Sequence, residues 1–125
     1  VIMGTGKPRD FCWDDSRTTN HQFNTPGDAE LETITGEGMT EDACFIEFEF
    51  RCTGEFPQIS FNYVWGSDEY NENIGGDGND VFAFFLDDVN MAMLPDGATP
   101  VTIDNVNPSR NSEFYINNRE EGLYP

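Results

Sequence analysis

Basic residues and histidine are scarce in this chain. Its 125 residues include six Lys and Arg and one His against 24 Asp and Glu, which gives a formal net charge of -18 at pH 7. Charge of that sign repels the phosphates of nucleic acids and of anionic membranes, so we predict neither as a partner. It also strains a compact fold through self-repulsion, which bound divalent cations would relieve. A salt-adapted or merely very soluble surface accounts for the total charge equally well.

Long apolar runs and a recognisable export signal are also missing. No apolar stretch approaches the roughly 20 residues that cross a bilayer as a helix, so we do not expect membrane insertion. The chain opens on valine, and we interpret it as a mature or trimmed segment. Its aromatic residues, eleven Phe, four Tyr and two Trp, are clustered and suffice for the core of one domain over residues 1–125.

Cysteine is limited to Cys12, Cys44 and Cys52. Residues 44–52 alternate between apolar and mostly charged side chains, which predicts a strand with both of its thiols on the apolar face. Eight residue steps of about 3.3 Å separate Cys44 from Cys52 by roughly 26 Å, whereas a disulfide needs Cα atoms within about 7 Å. Cys12 can therefore pair with either one, and the other is a buried free thiol or pairs with sequence beyond residue 125. We expect an oxidising compartment.

Short apolar segments between Gly, Pro and Asn residues predict a mainly β fold. One short helix is expected near residues 27–35, because acidic residues fill its first turn and Gly36 and Gly38 can end it. Strands of this length and spacing are typical of a β-sandwich of jelly-roll character. The run 81–86 is apolar on both faces and predicts a central covered strand. The other predicted strands are 1–5, 43–52, 59–65, 91–94, 101–103 and a strand that begins at 114–116. A turn at 95–97 is predicted between the strands 91–94 and 101–103.

The loop at residues 66–80 is dense in carboxylates, amides and glycines. Calcium takes six to eight oxygen ligands in adaptable geometry, so we predict a Ca²⁺ site there. The candidate ligands are Glu69, Asp77, Asn79 and Asp80, with Asp28 and Asp42 from other loops. A polar hairpin loop that binds nothing has the same composition, because turns also favour Asn, Asp and Gly. Asp28 can equally be the start of the helix, and the acidic pair Asp87 and Asp88 is more typical of a plain turn.

No pattern in the chain predicts catalysis. The single histidine, His21, lies in an irregular polar segment, and Ser67 is not part of a Gly-x-Ser-x-Gly elbow. Paired carboxylates for glycoside hydrolysis stay open only because Asp and Glu are abundant. Trp13 and Tyr70 are candidates for stacking against a sugar, whereas Trp65 continues the inward-facing side of its strand and is expected to pack in the core.

Six segments in a fixed order span nearly the whole chain. They are TPGDAELE (25–32), DA with the Phe-rich strand behind it (42–50), SFNYVWGSDEYNE (60–72), NDVFAFFL (79–86), NMAMLP (90–95) and TPVTIDNVN (99–107). Together they resemble the choice-of-anchor L domain, a family of extracellular, mostly bacterial, surface modules. The resemblance implies a secreted β-sandwich for attachment or matrix structure, without established enzyme activity. It also implies further strands after residue 125, so we expect the C-terminal strands to be lacking. The insert at 75–78 and the cysteines depart from the bacterial pattern.

We therefore predict a non-enzymatic, extracellular, calcium-stabilised module for cell-surface adhesion or for an extracellular matrix or filament. Its partners would be other copies of itself, surface or matrix proteins, or glycans. Two alternatives stay open. One is a carbohydrate-binding module, and the other is a polymerising subunit of a surface filament, in which exposed strand edges pair with a neighbouring chain.

Overall fold

Regular secondary structure is sparse in the described part of this protein. The computed structural model describes residues 2–5, 23–36, 38–55, 58–76 and 78–117. These ranges contain a helix and four short strands: α1 (Ala29–Thr35), β1 (Val81–Phe82), β2 (Phe85–Leu86), β3 (Val89–Asn90), β4 (Val101–Thr102), and also a 3₁₀ helix at Ser112–Phe114. The short helix and the antiparallel strands are confirmed, whereas the described residues show no sandwich. None of their helices is long and apolar enough to cross a membrane.

Helix α1 begins and ends where the sequence predicts. Asp28 is the N-cap, and its Oδ1 accepts the backbone N–H groups of Glu30 at 2.9 Å and Leu31 at 3.1 Å. Gly36 ends the helix with φ of 73°, a left-handed conformation that glycine adopts without a Cβ clash. The helix-start interpretation of Asp28 is therefore confirmed.

The segment 23–42 around α1 is closed at its ends by a carboxylate. The buried Asp42 accepts the N–H of Phe23 at 2.9 Å through Oδ2, and through Oδ1 the N–H of Thr25 at 2.7 Å and its hydroxyl at 2.9 Å. Asp42 N–H donates back to the Thr25 carbonyl at 3.0 Å. Farther inside the loop, Gly27 lies so close to Thr40 that a Cβ would overlap the Thr40 carbonyl oxygen. Both contacts hold the two sides of the loop together.

Two antiparallel ladders organise the second half of the chain. Strand β1 pairs with β4, with Val81 opposite Thr102, and β2 pairs with β3 in a hairpin. The hairpin turn is Asp87 and Asp88, with φ of 47° and 65°, both left-handed as in a type I′ turn. The prediction that these two carboxylates form a turn is confirmed.

The apolar run 81–86 does not form the single central strand that its composition predicts. It divides into β1 and β2, which belong to different sheets. The cause is Asn90, whose Oδ1 accepts the N–H of Phe84 at 3.2 Å and that of Ala92 at 2.9 Å. A side chain thus takes the hydrogen bond that a partner strand would supply, and the ladder changes partner at this point. The run is half-buried rather than fully covered.

The core lies in residues 92–107. Its buried apolar side chains are Ala92, Leu94, Val101, Ile103 and Val106, and Ile103 is 0% exposed. The predicted turn at 95–97 is confirmed, because Leu94 N–H donates to the Thr99 carbonyl at 2.8 Å. The strand predicted at 101–103 is present as β4, whereas the segment 91–94 contributes only one bridge, Met93 to Pro100.

Polar side chains close the loops of this core. Asp96 accepts the N–H groups of Ala98 and Thr99, each at 2.9 Å, and the Thr99 hydroxyl. The hydroxyl bond and then the two backbone bonds hold the pKa of Asp96 below its ordinary value. The buried Asn107 donates from Nδ2 to the carbonyls of Ile103 at 3.0 Å and Asp104 at 3.1 Å. These bonds satisfy backbone groups that the short strands leave unpaired.

The two most regularly alternating segments, 43–52 and 59–65, lie in neither helix nor strand, so both strand predictions are wrong for this structure. Phe45, Ile46, Phe48 and Phe50 are 81%, 61%, 61% and 48% exposed. Alternation predicts a strand only where a second layer covers the apolar face, and no described element covers this one.

The cysteines of the first segment are exposed, not buried as predicted. Cys44 and Cys52 are both free thiols, and no bond joins them. Cys12 lies outside the described residues, so its pairing with either one stays a prediction.

The predicted strands at the two ends of the chain are also absent from the described residues. Residues 2–5 form no strand, and residue 1 lies outside the described ranges. Near the other end, Phe114 N–H donates to the Asn111 carbonyl at 3.1 Å, which closes a 3₁₀ turn. Asn111 precedes that turn with φ of 52°, a left-handed conformation that diverts the chain from an extended path.

Candidate functional site

Ring contacts align residues 61–63 with residues 82–84 as two sides of a hairpin. Phe61 packs on Phe84 with ring centroids 4.3 Å apart, and Tyr63 stacks on Phe82 at 4.5 Å. Position 61 contacts position 84, and position 63 contacts position 82. The two segments therefore run in opposite directions, as in an antiparallel pair. The two ends of the acidic loop 66–80 therefore lie at neighbouring positions in the fold.

Ser67 fastens the two ends of this loop to each other. Its Oγ donates to Asp80 Oδ2 at 2.6 Å and accepts the N–H of Glu69 at 3.1 Å. Glu69 in turn accepts the Asn73 side-chain amide at 3.0 Å through Oε2. Two of the predicted ligands, Glu69 and Asp80, are thus linked through one serine hydroxyl.

Asp104 enters the loop from the far end of the neighbouring ladder. Its Oδ1 accepts the N–H of Gly75 at 2.6 Å, and its own N–H donates to Asn79 Oδ1 at 3.3 Å. The pairing of β1 with β4 causes this meeting, because it places residues before β1 beside residues after β4. Asp104 is not among the ligands predicted from the sequence, although the antiparallel register of 81–82 with 101–102 would have indicated it.

The carboxylates of Glu69 and Asp80 accept hydrogen bonds from protein donors in this arrangement. Within the ranges that the structure describes, no three His, Cys, Asp or Glu side chains come close enough to hold one metal ion. Glu69 Oε2 lies next to Gly78, where a Cβ would approach it to 2.6 Å, so the loop folds tightly around this oxygen. Asp77 lies outside the described residues. The calcium hypothesis therefore stays a prediction.

The two ligands predicted from other loops have structural roles of their own. Asp28 caps α1, and Asp42 closes the segment 23–42. Their carboxylate oxygens accept backbone N–H groups there, which accounts for both residues without a metal ion.

Tyr70 packs between two other aromatic rings. Trp65 contacts it edge-on at 5.9 Å between centroids, and Tyr115 does so at 5.0 Å. Burial, then the nearby Tyr115 and Asp80, raises the pKa of Tyr70 to about 12. Tyr115 itself donates from its hydroxyl to Asn71 Oδ1 at 3.1 Å. These contacts give Tyr70 and Trp65 a packing role, whereas Trp13 lies outside the described residues, so sugar stacking stays a prediction.

Comparison with known proteins gives one match. The family model described as Choice-of-anchor L domain matches residues 1–124. No curated protein and no solved structure matches the chain significantly.

Proposed function

The chain belongs to the choice-of-anchor L domain family, and we propose that it is a non-enzymatic attachment module of the cell surface or extracellular matrix. The observation that carries this proposal is the family match over residues 1–124, since the family implies a surface-anchored context. The proposed partners are other copies of the chain, surface or matrix proteins, or glycans.

The exposed apolar side chains support an attachment role. Phe45, Ile46 and Phe48 are each more than half exposed, and Val64 is 99% exposed. Apolar side chains grouped in this way on a protein surface commonly mark sites of protein contact. The same observation also favours the alternative of a structural subunit that associates with its own copies.

Adhesion can be measured with beads coated with the purified chain. We expect such beads to aggregate with one another or to bind beads coated with matrix proteins. The test variant is the double substitution I46S/F48S, which removes two side chains that are each 61% exposed and should weaken the binding. The proposal fails if coated beads bind neither themselves nor any matrix protein, or if the double variant binds equally well.

We further propose that calcium stabilises the acidic loop. The loop offers carboxylate oxygens from Glu69 and Asp80 and an amide oxygen from Asn79, which are ligand types that calcium prefers. A cation would relieve repulsion within a chain of net charge -18. Because it would bind the folded state alone, it would stabilise that state by about 2.7 kcal/mol at a hundredfold excess over the dissociation constant.

Thermal melting with calcium and with a chelator tests this part of the proposal. We expect calcium to raise the Tm of the native chain, and this rise to be lost in Glu69→Gln and Asp80→Asn. Asp88→Asn is the matched control, because Asp88 lies in the β2–β3 turn and asparagine tolerates its left-handed backbone. Equal melting temperatures in calcium and chelator would refute the calcium site without affecting the attachment proposal.

A further inference from the structure

Residues 44–52, with the sequence CFIEFEFRC, are nearly symmetric about Phe48. Cysteine occupies both ends, Ile46 mirrors Phe50, and Glu47 mirrors Glu49. Only the outer pair of Phe45 and Arg51 breaks the symmetry. An antiparallel pair of identical strands brings mirrored positions face to face, so a sequence with this symmetry is complementary to a second copy of itself.

The structure leaves this segment, which we call the 44–52 strand segment, available for pairing. Across the described part of the chain, none of its backbone groups forms a hydrogen bond. The Phe48 and Phe50 rings lie 6.1 Å apart between centroids, as expected for positions two apart on one face of an extended chain. Both thiols are free and exposed.

We infer that the 44–52 strand segment pairs antiparallel with the same segment of a second copy, and that Cys44 of each copy forms a disulfide with Cys52 of the other. In this register Phe48 faces Phe48, and Ile46 faces Phe50. Residues directly opposite in an antiparallel pair have Cα atoms about 4.5–5.5 Å apart, within the range that a disulfide requires. If one strand shifted by one residue, the apolar faces of the two copies would lie on opposite sides of the pair.

The opposite face of the pair explains why a covalent link is needed. Glu47 there faces Glu49 of the second copy, and like charges directly opposite destabilise a strand pair. Phe45 faces Arg51 of the second copy, a favourable contact between a cation and an aromatic ring. At about 200 Å² per phenylalanine, the exposed parts of the three phenylalanines and Ile46 amount to roughly 500 Å² per copy. Even if all of this area were buried, two copies would reach only about 1,000 Å², the lower limit of a specific interface, so the two disulfides supply the permanence.

The two-fold symmetry of this contact limits its size. Each copy uses both of its cysteines and one edge of its 44–52 strand segment on one partner, so the disulfide-linked contact closes as a dimer and does not propagate into a filament. The inference deepens the proposed contact between copies, and it requires neither calcium nor a glycan.

Each interchain bond forms by thiol–disulfide exchange with a small oxidised disulfide such as oxidised glutathione. The Cys44 thiolate attacks one sulfur of that disulfide, which releases one small thiol and leaves a mixed disulfide. The Cys52 thiolate of the second copy then displaces the other small thiol. The two protein thiols lose two protons and two electrons in total, and the small disulfide gains them. Such an oxidant is present in the oxidising compartments where disulfides persist.

A complementation experiment tests this register. In a Cys12→Ser background, the variants Cys44→Ser and Cys52→Ser are purified, oxidised with glutathione disulfide in a chelator, and run on non-reducing gels. Neither variant alone can place two thiols face to face, so each should stay largely monomeric. Their equimolar mixture should give a cross-linked dimer, since Cys52 of one meets Cys44 of the other. Equal cross-linking of the separate variants would overturn the inference.

Two further measurements complete the test. Peptide mapping of the oxidised native chain should find an interchain link between Cys44 and Cys52, and a Cys12 link to either residue as the main product would overturn the inference. Phe48→Asp places two carboxylates opposite each other at the centre and should reduce the dimer yield in the Cys12→Ser background at least tenfold. Val64→Asp, at an exposed position outside the 44–52 strand segment, should leave the yield unchanged. Chelator throughout separates these outcomes from the calcium proposal.

Discussion

Residues 44–52 and residues 92–107 show opposite relations between apolar content and burial. The first segment has apolar or thiol side chains at most of its positions and is exposed throughout. The second contains Pro, Gly, Asp and Asn between its apolar residues, yet it includes Ile103 and the rest of the core. Apolar side chains are stabilised by burial, but burial requires that another part of the backbone folds over them.

In residues 92–107, polar side chains form the hydrogen bonds that fold the backbone over the core. Asp96 closes the turn between Leu94 and Thr99, and Asn107 bonds to two carbonyls behind β4. The 44–52 strand segment has no such closure in the described structure. The comparison therefore indicates that hydrogen-bonded turns, more than apolar density, determine where this chain builds its core.

Removal of the most buried side chain should have the largest effect on stability. Ile103→Ala deletes a fully buried side chain and should lower the free energy of unfolding by about 2–5 kcal/mol, because the lost burial and the cavity add together. Ile46→Ala makes the same chemical change in the exposed segment and should cost less than about 0.5 kcal/mol. Urea unfolding of both monomeric variants under reducing conditions compares them. Equal losses would mean that the 44–52 strand segment is covered in solution.

Removal of a polar closure should have the next largest effect. Asn107→Ala leaves the Ile103 and Asp104 carbonyls without their donor and should cost about 1–3 kcal/mol. Asn62→Ala, at an exposed position in the segment without strand structure, is the matched control and should change stability little. If the two variants unfolded at the same urea concentration, hydrogen-bonded closure would not be what separates the two regions.

Tyr70 lies outside both regions and packs between Trp65 and Tyr115. Its pKa is raised from 10.0 to about 12 in the folded chain, so the neutral phenol is favoured by folding. The associated stability is complete below pH 10 and is lost as the pH rises from 10 toward 12. Tyr70→Phe should remove this part of the alkaline loss, as measured by urea midpoints across that range. An unchanged alkaline slope in the variant would contradict the packed position of Tyr70.

The smallest effect is expected at the Asp96 turn, which is solvent-exposed. The lowered pKa of Asp96 means that its ionised form is favoured by folding, so its contribution is present above pH 3.8 and is lost in more acidic solution. Asp96→Asn should therefore be slightly less stable than the native chain at neutral pH, and the difference should shrink below pH 3.8. Denaturation midpoints at neutral and acidic pH measure it. A difference that grows in acid would show that the hydrogen bonds favour the neutral carboxyl group.

Local chemistry was predicted well from the sequence. The acidic first turn and Gly36 marked the ends of α1, and Asp87, Asp88 and the segment 95–97 marked turns, because each of these features depends on neighbouring residues alone.

Features that depend on distant residues were not predicted. Asp104 joins the loop only through the β1–β4 register, and Asn90 interrupts the apolar run 81–86 through a side-chain bond to Phe84. Alternation at 43–52 likewise states which side chains share a face, but it carries no information about what lies against that face. Pairing and covering of strands are long-range properties, and periodicity within one segment does not encode them.

The bare backbone at Gly27 makes the segment 23–42 unusually selective toward mutation. Any side chain there would push Thr40 away and separate the two sides of the loop that Asp42 holds together through its hydrogen bonds. A saturation library at position 27, selected for folded protein, should return glycine almost exclusively. At position 66 no atom lies within 4 Å of a built Cβ, so the same selection should accept many residue types. The number of residue types accepted at each of the two positions would then measure how much less substitution the segment 23–42 tolerates than position 66.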